Sequence, residues 1–280
     1  MTGRTRKRLS KAFFNTIAIL VSIVMAFPVY WMVTTALKPK SEVFTLTPTI
    51  IPREITFSHF ARVLSDPGFL VFARNSIVVT LVVVAITMVV GFLAATAMAR
   101  FNYRGRRASI VAVLAVQMVP LEALLISMYV MLDTMGLIDR LLGVMVAYLA
   151  LALPFTVWTL RGFVANIPAE LEEAAMVDGC SRMQSFWRIL LPLVAPGLVA
   201  ASVFAFILAW NEFILANVVL LSSKNQTLPL WLANFQSSFK EVDWSGLMAS
   251  STLFAMPVII FFVIVQGRLH EGAAAGGVKG

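Results

Sequence analysis

Six long apolar runs separated by polar stretches organise the chain: residues 12–36, 76–99, 108–132, 141–164, 196–221 and 246–267. Each is long enough to cross about 30 Å of hydrocarbon as an α-helix, which takes about 20 residues. The pattern therefore predicts an all-α membrane protein with six transmembrane helices and, the number being even, both termini on one side. The first run follows a basic segment, as a secretory signal would. It extends over 25 residues without a small-residue cleavage site, so it is expected to be a retained span. Three parts result: a terminal segment 1–11, a membrane domain 12–267 with a polar insertion at 165–195, and a tail 268–280.

The longest loop, from Leu37 to Asn75, is interrupted by Pro39, Pro48, Pro52 and Pro67 and carries a short amphipathic stretch near Phe57 to Leu64. Asn75 or Ser76 is suited to cap the second span by accepting from unpaired backbone N–H groups. Arg100 to Arg107 forms a tight basic turn. Leu221 to Ser245 reads as a larger polar loop with Lys224, Asn225, Gln226, Trp231 and Trp244, suited to touch a soluble partner.

Composition agrees with a lipid environment. With 60% hydrophobic and 13% charged residues and a mean hydropathy of +0.89, the chain has too little polar surface to cover itself in water. Lys and Arg concentrate on one side: Arg4, Arg6, Lys7, Arg8 and Lys11, then Arg100, Arg104, Arg106 and Arg107, then Arg161, Arg182 and Arg188, and finally Arg268 and Lys279. By the positive-inside rule that side, with both termini, is cytoplasmic. The net charge of +8 is spread through loops where anionic lipid headgroups would meet it, which argues against nucleic acid as a partner. Cys180 is alone, so no internal disulfide forms, and His59 and His270 fall in loops on opposite sides, so no metal site is supported.

The insertion between the fourth and fifth spans carries the densest local signal. Pro168 suits a helix start, and Glu170, Glu172 and Glu173 fall where the helix dipole favours negative charge. Leu171, Ala174 and Ala175 at i, i+3, i+4 give a narrow apolar face. Gly179 is expected to end this helix in a left-handed conformation, and Ser181 to cap a second one that returns to the membrane at Pro192. The prediction is an exposed helical hairpin. Glu173-Ala174-Ala175, three residues, Gly179, nine residues, then Ile189, one free position (Leu190) and Leu191-Pro192 fixes seven positions, which ordinary residue usage would produce about once in 10⁸ starting points.

That signature resembles the E-A-A-x3-G-x9-I-x-L-P loop of the inner-membrane permeases of binding-protein-dependent ATP-binding cassette importers. Leu37-Lys38-Pro39, Asn75-Ser76, Trp210-Asn211-Glu212-Phe213 and the terminal Gly276-Gly277-Val278-Lys279-Gly280 extend the resemblance across nearly the whole chain, toward the second, six-span permease of maltose-type carbohydrate importers. Ser127 departs from it, standing where many similar permeases have a proline that kinks the third span. The resemblance implies a type I importer permease core in a prokaryotic plasma membrane. Its implied partners are a second homologous permease, two ATPase subunits and an extracytoplasmic sugar-binding protein. It implies ATPase coupling through Glu173, Ala174, Ala175 and Gly179, with Asp178 either a further contact or a local turn residue. It implies an ATPase contact by Val278, Lys279 and Gly280, against a tail without a role. By the same resemblance the loop 221–245 enters the binding protein. No cofactor is expected in this chain: Gly272 to Gly277 is followed by Val278 rather than the Lys of a Walker A sequence, so ATP and Mg would belong to the ATPases.

Gln117, Glu122, Asn211, Glu212 and Asn217 are polar residues within spans and so candidates for the translocation path. Gly197, Ala201, Ala205 and Ala209 form a small-residue line, which makes a structural interhelical bond by Glu212 an equal alternative to a sugar contact. Trp31, Tyr30 and Tyr129 read as interfacial anchors. The substrate expectation is a small oligosaccharide, with glycerol phosphate esters as the alternative. An intramembrane enzyme using Glu122 and Glu212 lacks a supporting nucleophile or metal set, and a proton-coupled carrier lacks the paired broken helices of inverted repeats.

Overall fold

The structure is a computed structural model that describes residues 3–237 and 243–276, with side chains for 11–235 and 243–267. Among these residues every regular element is helical. In chain order they are α1 (Gly3–Leu37), α2 (Lys40–Val43), α3 (Ser58–Ser65), α4 (Pro67–Arg100), α5 (Arg106–Gln117), α6 (Leu121–Thr134) and α7 (Leu141–Asn166). Then follow α8 (Glu170–Val177), α9 (Arg182–Ser185), a π-helical turn (Phe186–Leu190), α10 (Leu191–Asn211), α11 (Ile214–Val219), α12 (Leu228–Ser237) and α13 (Trp244–Gly276). Five single helices are long and apolar enough to cross a membrane, and α5 with α6 makes a sixth span if the bent pair is counted as one.

The predicted third span, 108–132, is not one straight helix: α5 and α6 meet at a 103° bend. The break falls at Met118, Val119 and Pro120, whose missing N–H and ring end helical propagation. Ser127 lies within α6, seven residues past the break. The predicted fifth span, 196–221, is also interrupted: α10 ends at Asn211 and α11 begins at Ile214. The second span starts earlier than the hydropathy indicates, at Pro67, so Asn75 and Ser76 are interior residues of α4 and cap nothing.

The chain divides into two compact units. In the first, residues 1–67 and 234–255, α3 buries His59 and Val63, as its amphipathic pattern indicates. Arg62 pairs with buried Asp243 at 2.8 Å, and His59 Nδ1 accepts from Arg62 at 2.8 Å. In α1, residues 11–30 are exposed along their whole length.

The second unit, residues 68–233 and 256–280, holds the packed core. One cluster gathers Val79, Val83, Leu132, Tyr148, Leu215 and Leu220; another gathers Phe92, Ala95, Leu160, Val164, Leu190 and Val194 at the root of the hairpin. The small-residue line works as expected: Gly197, Ala201, Ala205 and Ala209 are all buried. A Cβ at Gly197 would stand 2.4 Å from the Phe163 ring, so a side chain added there has to displace the ring or separate α7 from α10.

Within the predicted loop 221–245, the stretch 221–235 is not a simple polar loop, since it includes most of α12. Leu228, Leu230 and Trp231 are buried, and Trp231 meets Phe69 edge-on at 5.1 Å. Asn75 Nδ2 donates to Lys224 O at 3.0 Å and Gln226 O at 2.9 Å, while Ser76 Oγ accepts from Leu228 N at 2.7 Å. Asp139 clamps the same segment, accepting from Leu221 N at 3.0 Å, Ser222 N at 2.8 Å and the Ser222 hydroxyl.

Candidate functional site: the hairpin between α7 and α10

Pro168 stops α7: Ile167 before it is extended, with ψ 125°, as a residue preceding proline prefers. Helix α8 then carries Glu170, Glu172 and Glu173 in its first turn, toward the positive end of its dipole. Its C-terminus closes as a Schellman motif, with Cys180 N donating to Ala175 O at 3.0 Å and Gly179 N to Met176 O at 3.1 Å. Gly179 has φ +91°, the left-handed conformation its position required. A complete capping box starts α9: Gln184 N donates to Ser181 Oγ at 3.3 Å and Ser181 N to Gln184 Oε1 at 2.8 Å. Pro192 cannot donate, and the helix widens just before it, Leu191 N reaching back five residues to Phe186 O.

The two faces of α8 differ from the single apolar stripe expected. Ala175 is buried, but Leu171 is 46% exposed and Ala174 also faces outward. Glu173, Asp178 and Gly179 are exposed. The inward face is held by Glu172, whose Oε1 accepts from Arg100 Nε at 2.7 Å. Arg100 Nη2 donates to Ile167 O at 2.9 Å, so one guanidinium ties the end of α4 to both the stop of α7 and the start of α8. Phe186 stacks on Phe92 at 5.0 Å, and Ser185 Oγ donates to Glu172 O at 3.3 Å. Arg106 supports the anchor, donating to Met98 O at 2.8 Å and Ala99 O at 3.1 Å and so capping α4.

The hairpin is thus anchored on one face and free on the other. Val177 (88% exposed), Met183 (65%) and Trp187 (55%) add apolar surface to its free side. Between the hairpin and α4 lies a cavity of about 410 Å³ lined by Thr96, Arg100, Glu172, Glu173, Arg182 and Phe186, among others.

The intramembrane candidates do not converge. Gln117 is exposed and its amide nitrogen Nε2 donates to Val113 O in its own helix at 3.1 Å. Glu122 is exposed in the first turn of α6. Asn211 is exposed and donates to Ile207 O at 2.9 Å, and Asn217 is exposed on α11. Glu212 sits in the break before α11, where its carboxylate accepts from Leu215 N at 2.8 Å and Ala216 N at 3.1 Å, and its backbone carbonyl accepts from the buried Tyr148 hydroxyl at 3.1 Å. Val278, Lys279 and Gly280 lie outside the described residues.

Residues 87–273, which contain the hairpin and its Arg100 anchor, match the model for the inner membrane component of binding-protein-dependent transport systems. The chain belongs to this family. The permease is 42% identical over 275 residues to the diacetylchitobiose uptake system permease DasC of Streptomyces coelicolor, covering 98% of this chain and 99% of that one. It is 32% identical over 265 residues to the trehalose/maltose transport system permease MalG of Thermococcus litoralis, covering 94% and 95%. In fold the permease is similar to a chain from a bacterial ABC transporter that imports the polysaccharide alginate, with a TM-score of 0.79 at 21% identity over 95% of this chain and 98% of that one. It is therefore a multi-pass membrane protein and a transporter component, with the fold of a type I importer permease.

Two structural ties are not anticipated by the sequence: the Arg100–Glu172 pair and the polar clamp of Asn75, Ser76 and Asp139 on segment 221–228. Arg100 is one of four arginines in a basic turn, and nothing in the sequence separates it from the three lipid-facing cations expected beside it.

Proposed function

We propose that this permease forms half of the translocation path of an ATP-driven carbohydrate importer and couples to its ATPase through the hairpin of α8 and α9. Relatives that carry diacetylchitobiose or trehalose and maltose support a small oligosaccharide as substrate. The observation that carries the coupling reading is the division of α8 into an anchored and a free face. Glu172 is spent on Arg100, while Glu173, Ala174, Asp178 and Gly179 remain exposed for a partner.

In this reading the basic termini face the cytoplasm and the partners are a second permease, two ATPase subunits that bind ATP and Mg, and an extracytoplasmic sugar-binding protein. Glu173 meets a cation on an ATPase subunit, and the small side chain of Ala174 permits close approach. Closure of the ATPases pushes α8. Through Arg100 and the Phe92–Phe186 stack that displacement reaches α4, and through the π-helical turn it reaches α10. The path then alternates between outward and inward access. Asn211 and Glu212 stand at the break between α10 and α11, and Gln117 and Glu122 flank the break between α5 and α6; irregular backbone at such points is tolerated only against protein or water.

The test is co-purification of tagged wild-type and Glu173→Lys chains from the native membrane, with ATPase activity measured on each. Wild type is expected to bring down a second permease and an ATPase, and Glu173→Lys to lose the ATPase or its sugar-stimulated activity. Sugar uptake at the wild-type rate by Glu173→Lys would overturn the coupling role.

A further inference from the structure

A second cavity, of about 300 Å³, lies in the first unit at the end of α1 remote from its basic terminus, walled by Trp31, Thr35, Lys38, Glu42, Thr49 and Trp244 among others. We propose that it is a binding subsite for a single hexopyranose ring, an antechamber on the side from which sugar arrives. The proposal rests on the carbohydrate reading above for the identity of the ligand, and on four features of the cavity for its chemistry.

The first is an unspent hydroxyl. Thr35 is 7% exposed, and its Oγ1 has no hydrogen-bond partner among the described residues. A helical threonine can bond the carbonyl three or four residues back, as Thr34 does to Tyr30 O at 2.9 Å and Trp31 O at 3.1 Å, whereas Thr35, like Thr80, Thr87, Thr96 and Thr156 elsewhere in the chain, does not. Thr35 lines the cavity instead, and a buried hydroxyl left unpaired is a cost that a ligand would remove.

The second is a buried cation. Lys38 is 3% exposed, donates from Nζ to Thr49 O, and stands 4.7 Å from the centre of the Trp31 ring. An ammonium carries three donors, so the bond to Thr49 leaves capacity for a ligand. The third is the Glu42 carboxylate, fixed by Thr49 Oγ1 at 2.5 Å and by Arg53 N at 3.1 Å. It supplies acceptors beside the Lys38 donors. The fourth is Trp244, 42% exposed at the cavity wall while Trp31 is held under Lys38.

A pyranose ring matches this set. Its C–H face packs on an aromatic ring, and each hydroxyl both donates and accepts, which suits a wall that offers a neutral hydroxyl, a donor-only ammonium and an acceptor-only carboxylate. Phospholipid matches less well, because a phosphate near Lys38 would also face the Glu42 carboxylate. The volume is at the lower limit for small-molecule sites, about 300 to 1,000 Å³, and so accommodates one ring, with further units of an oligosaccharide left outside.

The experiment has two arms. The full chain is purified in nanodiscs free of glycolipid, and equilibrium binding of N-acetylglucosamine and of glucose is followed by intrinsic tryptophan fluorescence for wild type, Thr35→Val and Trp244→Phe. In parallel, uptake of diacetylchitobiose and maltose is measured in cells carrying the intact importer. The expected result is saturable binding of at least one monosaccharide, weakened about fivefold or more by Thr35→Val, which keeps the side-chain shape and removes the hydroxyl. Trp244→Phe is expected to abolish most of the fluorescence change. Normal uptake with no monosaccharide binding, or with binding indifferent to both substitutions, overturns the subsite and leaves the importer reading intact. Absence of binding overturns the subsite whether or not the sugars are taken up, and absence of uptake for both sugars overturns diacetylchitobiose and maltose as the cargo.

Discussion

Arg100 and Glu172, 72 residues apart in sequence, meet at 2.7 Å with side chains only 15% and 18% exposed. The pair joins the end of one membrane helix to the first turn of the helix that faces the ATPase in the proposed assembly. Both members also bond backbone around them: Arg100 reaches Ile167 O, and the Glu172 carbonyl accepts from Ser185. Breaking one partner leaves the other charge partly buried, which costs more than the pair itself contributes. Arg100→Ala is therefore expected to destabilise the hairpin by about 2–3 kcal/mol. In the assembled importer, sugar-stimulated ATPase activity should fall toward its basal level while basal hydrolysis persists. Glu172→Gln, which keeps shape and one acceptor, should lose less. The double variant should cost less than the sum of the two, and strict additivity would show that the pair does not act as a unit.

At Gly179 the backbone itself sets the requirement. Its φ of +91° closes the Schellman turn, and open space surrounds the position where a Cβ would stand. Strain, and not a clash, is thus the only penalty a substitution meets. Gly179→Ala is expected to cost about 1–2 kcal/mol locally, and Gly179→Asn less, because Asn tolerates the left-handed region. Hydrogen exchange at Cys180 N and Gly179 N would read this directly. The order wild type, Asn, Ala in protection is the expected result, and equal protection in all three would refute it.

The hairpin was legible in the sequence because its signals are local: a proline stop, an acidic first turn, a glycine at the αL position and a serine cap all lie within a few residues of what they determine. Six-span topology was legible for the same reason, since hydropathy sums over one contiguous segment. The 103° bend at Pro120 was missed because the apolar run continues unbroken through it, and average hydropathy carries no direction. Asn75 and Ser76 looked like caps because caps are what such residues do locally. Their real partners, Lys224 O, Gln226 O and Leu228 N, lie about 150 residues away, beyond any local pattern. The same applies to Leu171, whose place on the apolar stripe says nothing of whether a neighbour covers it.

The clamp from Asn75 deserves a direct test of its own because it joins α4 to the start of α12. Asn75→Leu leaves Lys224 O and Gln226 O without their donors, at an expected cost of about 1–3 kcal/mol. The loss should appear as faster proteolysis within 221–226 while the hairpin keeps its wild-type resistance. Accelerated cleavage at both sites would indicate general unfolding and remove the claim of a local clamp.

Asp139 gives this clamp a defined pH window. The Ser222 hydroxyl and the Ser222 N–H stabilise its carboxylate, with Leu221 N adding to them, and hold its pKa down to about 2. A depressed pKa means that protons bind more tightly to the unclamped state. The stabilisation is complete above the ordinary aspartate value near 4 and is lost as pH falls through about 2. The segment 221–226 should therefore exchange its amide hydrogens equally slowly from pH 7 to pH 5, after correction for intrinsic rates, and open between pH 4 and 2. Asp139→Asn should exchange faster and show no such window. Loss of protection already at pH 5, or an unchanged window in Asp139→Asn, would mean that another group governs the opening.

Close packing of α7 on α10 sets the last expectation. At Gly197 a new Cβ would fall 2.4 Å from the Phe163 ring, and the residues in line with it, Ala201 and Ala205, are fully buried. Gly197→Ala must displace the ring or separate the helices, a cost of about 1–3 kcal/mol for overpacking. Because Phe163 is itself 39% exposed, ring movement is the easier response, so the lower part of that range is expected. Gly197→Leu allows no such escape and should prevent stable insertion of the pair. Thermal unfolding in detergent of Gly197→Ala, alone and with Phe163→Ala, separates the two responses. Rescue by the second substitution locates the strain in the ring, and a further loss of stability would place it in the backbone approach of the two helices.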